Sequence, residues 1–317
     1  MQMRPFGRDT GLSIAPLVLG GNVFGWTADE ATSFGILDAF VDGGFNAIDT
    51  ADVYSRWAPG HTGGESETVI GNWLAARKVR DRIVLITKVG MDMGAAGKGL
   101  RATHIVSAIE ASLRRLKTDR VDVYLSHYPD IEAPISETLE AHRRLIDAGK
   151  VRVAGGSNYD AVQMRAALDA AGNGRARYML LQPIYNLFDR KPYEGPLEDL
   201  CAAEGIGVFP YYGLASGFLT GKYRSEADFG KSLRGGRMKN YLTPRGIAIL
   251  AAMDAVAASS GASLAQISLA WIMARPSITA PIASATSVAQ LTELMGAARV
   301  QLDAAAIAAL DAASTTP

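Results

Sequence analysis

Eight short apolar runs recur along the chain, and this repetition limits the possible folds more than any single motif does. They cover residues 14–20, 45–49, 82–87, 121–126, 151–156, 178–182, 205–210 and 278–282. Most are rich in Val, Ile, Leu and aromatic residues and too short for helices, so they read as buried strands. Helical patterns lie between them. In 103–117, Ile105, Ile109, Leu113 and Leu116 share one face, and Thr103 is expected to cap it. A second pattern fills 137–148 and ends at Gly149, and a third fills 160–171, from Asp160 to just before Gly172. Strands alternating with helices call for a parallel sheet with helical crossovers, and eight such units point to a closed (β/α)8 TIM barrel. The first residues, MRPFGRDTGLSI, read as a β-hairpin that would plug the barrel bottom. After the seventh run a long Gly- and Lys/Arg-containing insertion covers about 215–243, followed by an extra helix pair. From Leu302 onward an Ala-rich helix is expected outside the barrel. No linker breaks the pattern, so residues 1–317 are read as one domain.

Composition narrows the function classes. Lys+Arg and Asp+Glu are both 32, so the balanced charge gives no electrostatic footprint for nucleic acid or an anionic membrane. Hydrophobic residues are 48% and charged residues 20%, as in ordinary globular proteins. Cys201 is the single cysteine; it excludes an intrachain disulfide and reads as a small packing residue. The first ten residues hold no apolar signal-like stretch and no later segment suits a membrane span, so a cytoplasmic protein is expected.

In such a barrel the active site forms where the strands end. The second run ends in Asp49, the third is followed by Lys88 and the fourth by His127, while Tyr54 lies five positions past Asp49. A neighbouring ammonium lowers a phenol's pKa, so Lys88 is expected to make Tyr54 a usable acid, with Asp49 keeping Lys88 charged. His127 can donate to a carbonyl oxygen or share the proton. This set holds an acid and an oxygen-polarising group but no good nucleophile, which suits hydride addition to C=O with a cofactor as hydride source. Ser157 and Asn158 after the fifth run, and Gln182 at the end of the sixth, suit a carboxamide ring. Tyr211 after the seventh suits stacking. Gly213, Gly217, Gly221 and Lys222 offer amides and charge for a pyrophosphate. A glycoside hydrolase lacks its second acid here, and a metal hydrolase lacks a His-x-His pair after the first strand.

These residues resemble the aldo-keto reductase superfamily over nearly the whole chain. The resemblance is carried by NAIDTADVY, RIVLITKVG, SLRRLKTDRVDVYLSHYPD, GKVRVAGGSN, LQPIYN, LASGFLTGKY and PIASATSVAQLTEL. It implies a barrel that reduces aldehydes or ketones with NADP(H), NAD(H) being possible, and without a metal. It implies a tetrad of Asp49, Tyr54, Lys88 and His127, with Tyr54 as general acid. It further implies cofactor contacts from Gly21, Asn22, Ser157, Asn158, Gln182, Tyr211, Leu214, Ser216, Gly217, Lys222, Arg234, Ser284, Thr286, Gln290 and Glu293. The last-strand motif departs from the family pattern, with Ser284, Val288, Ala289 and Leu294 at the usual Gly, Pro, Glu and Asn. Gln290 stands where some members carry the Arg that pairs with the 2′-phosphate of NADP, and Arg234 or Lys222 are candidates to compensate.

Phe24, Trp26, Trp57 and Tyr128 follow strands and are expected to wall the substrate pocket. Asp52 fits a solvated strand end or cap. Arg114, Arg115 and Lys117 fit a solvated helix face, and His61, His104 and His142 fit loop or helix-surface positions. The partner is expected to be a small carbonyl or alcohol, with the protein a monomer or homo-oligomer. A cofactor-binding regulatory subunit of a channel is the alternative function.

Overall fold

The computed structural model describes residues 1–231 and 235–315. Eight parallel strands form the central sheet: β3 (Val18–Gly20), β4 (Ala47–Asp49), β5 (Val84–Val89), β6 (Val121–Ser126), β7 (Val151–Ser157), β8 (Tyr178–Gln182), β9 (Gly207–Val208) and β10 (Ile282–Ala283). Their order is β10-β3-β4-β5-β6-β7-β8-β9. The two edges meet: Thr279 N–H donates to the Val208 carbonyl at 2.7 Å and Ile282 N–H to the Pro210 carbonyl at 2.8 Å. Closure leaves no exposed sheet edge, and the (β/α)8 expectation holds.

The hairpin β1 (Arg4–Pro5) and β2 (Ser13–Ile14) closes the barrel bottom. Ile14 therefore belongs to the plug rather than to the first barrel strand. Phe6, Leu12 and Ile14 pack with the inward-facing Val18, Ala47, Ile86, Val123 and Leu180, and the Phe6 ring meets Phe209 edge-on at 4.9 Å.

Helices α1 (Glu30–Asp42), α2 (Glu65–Arg77), α3 (Ala102–Leu116), α4 (Ile135–Asp147), α5 (Ala161–Ala170) and α6 (Pro196–Glu204) follow the first six barrel strands. After β9 the insertion forms short 3₁₀ turns, including Ala215–Thr220, before α7 (Pro244–Ser260) and α8 (Leu264–Met273). Then come α9 (Val288–Gly296) and α10 (Ala304–Ser314), with α10 packing on α7 outside the barrel. Most starts are written in the sequence. Asp160 and Gln163 form a reciprocal cap on α5, Ser263 and Gln266 do the same on α8, and Thr243 caps α7 with Pro244 behind it.

Helix α3 is capped differently from expectation. Arg101, not Thr103, holds the cap position, and its side chain makes no cap bond. The Ala102 N–H instead donates to the Glu137 carboxylate of α4 at 2.9 Å, a long-range acceptor that local sequence cannot display. Helices α2 and α3 approach closely because Gly71 has no side chain: a Cβ there would overlap the Arg115 carbonyl. Gly71→Ala is expected to lower stability by about 1–3 kcal/mol through overpacking, read as a lower urea midpoint. An unchanged midpoint would mean that the two helices can move apart freely.

Among the described residues no single helix is long and apolar enough to cross a membrane.

Candidate active site

The barrel mouth opens into a cavity of about 790 Å³ over the C-terminal strand ends. A smaller one of about 370 Å³, near Met1, Arg4 and Arg299, lies away from those ends.

Asp49, the last residue of β4, is 2% exposed. Lys88 of β5 is fully buried and its Nζ meets three acceptors: Asp49 Oδ2 at 2.7 Å, the Thr50 carbonyl at 2.8 Å and the Tyr54 hydroxyl at 2.9 Å. Those contacts use all three ammonium protons. The Asp49 Oδ1 accepts from Gln182 Nε2 at 2.8 Å, so β4, β5 and β8 are tied across the mouth. Tyr54 hangs over this pair on a turn whose N–H groups close on Ala51 and Val53, and Ser55 takes a left-handed φ of 75°. Its hydroxyl also lies 3.3 Å from Asp49 Oδ2.

The electrostatics differ from the simplest expectation. Burial, followed by the Asp49 charge, raises the Tyr54 pKa well above its ordinary value. Lys88 does not overcome that in the protein alone. Burial also lowers the Lys88 pKa, opposed by Asp49, Asp52 and Glu67. His127 is 8% exposed, and burial, helped by the Lys88 charge, pulls its pKa well below the usual value. It is therefore a neutral imidazole at pH 7, able to donate without carrying charge.

Ser157 ends β7 and Asn158 follows it. Asn158 sits at a φ of 63°, with Nδ2 donating to the His127 carbonyl at 2.9 Å and Oδ1 accepting from the Tyr211 hydroxyl at 2.7 Å. That bond pins the Tyr211 ring beside the mouth. Ala215, Ser216 and Gly217 run at φ values of 46°, 57° and 99°. A non-glycine pair in the left-handed region is strained backbone, and such concavities present N–H groups to anions. Lys222 lines the same wall. On the far wall Ser284 donates to Asn22 at 2.6 Å, and Gln290 Oε1 accepts from the Thr286 N–H and hydroxyl at 2.9 and 3.0 Å. A pinned flat ring, an anion-type concavity and a cation along one cavity fit a dinucleotide.

The aldo/keto reductase family model matches residues 16–315. The chain belongs to the aldo/keto reductase family. It is 33% identical to the aldo-keto reductase YhdN of Bacillus subtilis, over 90% of this chain and 86% of that protein. It is 32% identical to the uncharacterised oxidoreductase YrpG of the same organism, over 96% and 93%. A probable voltage-gated potassium channel subunit beta of Arabidopsis thaliana is 33% identical, over 95% and 92%. Members of this family generally bind nicotinamide cofactors, and an oxidoreductase is the class to which this aldo/keto reductase belongs.

Most of the residues singled out in the sequence meet at this one cavity. Asp49, Tyr54 and His127 line it, with Lys88 directly behind. Asn22, Ser157, Asn158, Gln182, Tyr211, Leu214, Ser216, Gly217, Lys222, Ser284, Thr286, Gln290 and Glu293 line it too. Trp26, Trp57 and Tyr128 form its aromatic side, with Trp57 meeting Trp26 at 5.7 Å and Tyr54 at 5.9 Å. Phe24 does not: it is fully buried in the core beside Val23. Gly21 is buried as well, donating to the Asp49 carbonyl at 2.7 Å and accepting from Ser66 at 2.7 Å, so it braces the site from below. Arg234 lies outside the described residues.

Other readings change more. Asp52 is 2% exposed, not a solvated strand end. His142 is fully buried between Tyr124 and Tyr178, with its pKa pushed down to about 4 by burial. Its helix turns it inward at a position where the apolar stripe of α4 admits a polar ring. Arg115 is no free surface charge: it pairs with the fully buried Glu67 at 2.7 Å. The sequence also missed Met91 and Tyr212, which join the aromatic side. Their only signal is position, just after β5 and β9.

Proposed function

We propose that this chain is an NADP(H)-dependent carbonyl reductase, also able to run in the alcohol-oxidising direction, in which Tyr54 is the general acid. The observation that carries the reading is the Tyr54 hydroxyl, on the cavity, 2.9 Å from a buried ammonium.

The nicotinamide, when bound, supplies the hydride. Ser157, Asn158 and Gln182 would hold its amide, and Tyr211 its ring face. Leu214, Ser216, Gly217 and Lys222 would hold the pyrophosphate, with the adenosine end beside Asn22, Ser284, Thr286, Gln290 and Glu293. The remaining chemistry belongs to the tetrad. A carbonyl oxygen seated between Tyr54 and neutral His127 is polarised by two donors. As the carbonyl carbon becomes an alcohol carbon, its oxygen takes the Tyr54 proton. The phenolate left behind sits against Lys88, whose charge Asp49 secures, and solvent returns the proton. The large desolvation rise in the Tyr54 pKa keeps this acid protonated until an oxyanion forms beside it. Trp26, Trp57, Tyr128 and Tyr212 form an uncharged wall for the substrate. No step calls on a metal, and the whole barrel is read as one domain.

Gln290 offers no charge to a 2′-phosphate and is engaged with Thr286, so the preference for NADP(H) over NAD(H) falls to the other cations of this cavity, Lys222 and Lys231. The purified protein is expected to oxidise NADPH in the presence of 4-nitrobenzaldehyde and to bind NADPH more tightly than NADH. The potassium-channel relative supports a second reading, a cofactor-binding regulatory subunit. Tight NADPH binding with no turnover over a panel of aldehydes and ketones would select it. No binding of either nucleotide would reject both readings.

A further inference from the structure

A second set of buried charges lies behind the tetrad. Glu67, in the first turn of α2, is fully buried. Its Oε1 accepts from the Thr87 hydroxyl of β5 at 2.6 Å and its Oε2 from Arg115 of α3 at 2.7 Å. Thr87 is the residue before Lys88, and alternation along the strand sends their side chains to opposite faces. Asp52 joins the two sets. It lies on the turn between Asp49 and Tyr54, and its N–H reaches the Lys88 carbonyl at 3.3 Å.

The charges can be counted. Asp49 is paired with Lys88 and Glu67 with Arg115. Asp52 is the third acid and has no cation of its own. It is 2% exposed, and among the described residues neither of its carboxyl oxygens has a side-chain partner or a well-formed hydrogen bond; the Val53 N–H faces it only outside hydrogen-bonding geometry. The Tyr124 hydroxyl of β6, also buried and without a partner among those residues, feels both Asp52 and Glu67. Ionising a third acid here would give the cluster a net negative charge in a medium that penalises it.

We propose that Asp52 is a positioning residue of the reductase, carried as a neutral acid at physiological pH, which on ionising adds a negative charge behind the Lys88–Tyr54 pair. The proposal rests on the reductase reading. Burial, then the Glu67 charge, raise the Asp52 pKa to about 8, with Arg115, the Val53 N–H and Lys88 opposing. The groups that face it are Glu67 of α2, Lys88 of β5, Arg115 of α3 and Tyr124 of β6. A new anion there makes proton loss from either Lys88 or Tyr54 harder. Because the two are coupled, they titrate as a pair, and the sign is the same whichever of them releases the proton. Above about pH 8, therefore, ionised Asp52 extends the reductase toward alkaline pH. One charge among adjacent buried side chains changes such an ionisation on the order of tenfold.

The test compares wild type with Asp52→Asn, which fixes the neutral form at nearly the same shape. The alkaline limb of kcat/KM for 4-nitrobenzaldehyde reduction is expected to fall by about one pH unit in the variant. A merely structural role would scale activity equally at every pH, and superimposable or parallel profiles overturn the proposal. Infrared spectroscopy gives a readout free of activity and of the variant's folding. Wild type should show a protonated-carboxyl C=O band at pH 7 that fades by pH 9, and D52N should lack it. Absence of a titrating band in wild type overturns the proposal even if turnover is normal. Absence of turnover with the band present overturns the link to reduction and, with it, the reductase reading.

Discussion

Tyr54→Phe is expected to lower kcat for carbonyl reduction by about 10²- to 10⁴-fold, the range over which a positioned acid contributes. The substitution removes one oxygen and little else. The ring keeps its contacts with Trp57 and His127, at centroid distances of 5.9 and 6.1 Å. Lys88 keeps Asp49 and the Thr50 carbonyl, so the buried ammonium is not orphaned. NADPH affinity should stay within about twofold, because none of the proposed cofactor contacts is Tyr54: they lie after β3, at the ends of β7 and β8 and in the segments after β9 and β10. Stopped-flow reduction and fluorescence titration of NADPH separate the two quantities. Wild-type turnover in the variant would remove Tyr54 from the proton path and leave His127 as the candidate donor.

How much of this could be read from the sequence depended on whether a residue's environment was local. The barrel was legible because each strand carries its own apolar run and each helix its own stripe. Strand ends then placed Asp49, Lys88, His127, Ser157 and Gln182 correctly at one rim, since a parallel barrel leaves side chains at that end little choice. Helix ends were legible where the cap was near in sequence, as at Asp160, and not where the acceptor came from another helix, as Glu137 does for α3. The misread charges share one cause. Asp52, Arg115 and His142 sit in segments that look polar in one dimension, and a neighbour on another element buries Asp52 and His142 and partly covers Arg115. Arg115 is held by Glu67 from 48 positions away, and only the close approach of α2 and α3 at Gly71 brings them together. Phe24 was misplaced for the converse reason: its neighbours Val23 and Trp26 do line the cavity, but it turns into the core.

Lys88→Met should weaken the fold as well as the reaction. Met matches the length of the lysine stem, so packing is nearly conserved, but the charge is lost. Asp49 would then remain 2% exposed, with Gln182 Nε2 at 2.8 Å and a long contact to Tyr54 as its remaining side-chain partners. Removing one member of a buried ion pair typically costs about 3–5 kcal/mol because the other charge stays uncompensated. Urea unfolding of K88M at pH 7 should show a loss of that size. The double variant Asp49→Asn/Lys88→Met should regain much of the stability, since both charges are then gone, while staying inactive because no ammonium stands by Tyr54. Recovery of stability without recovery of turnover would assign the pair to the chemistry and not to the fold. A K88M protein as stable as wild type at pH 7 would show instead that the Asp49–Lys88 pair adds nothing net to the stability of the fold.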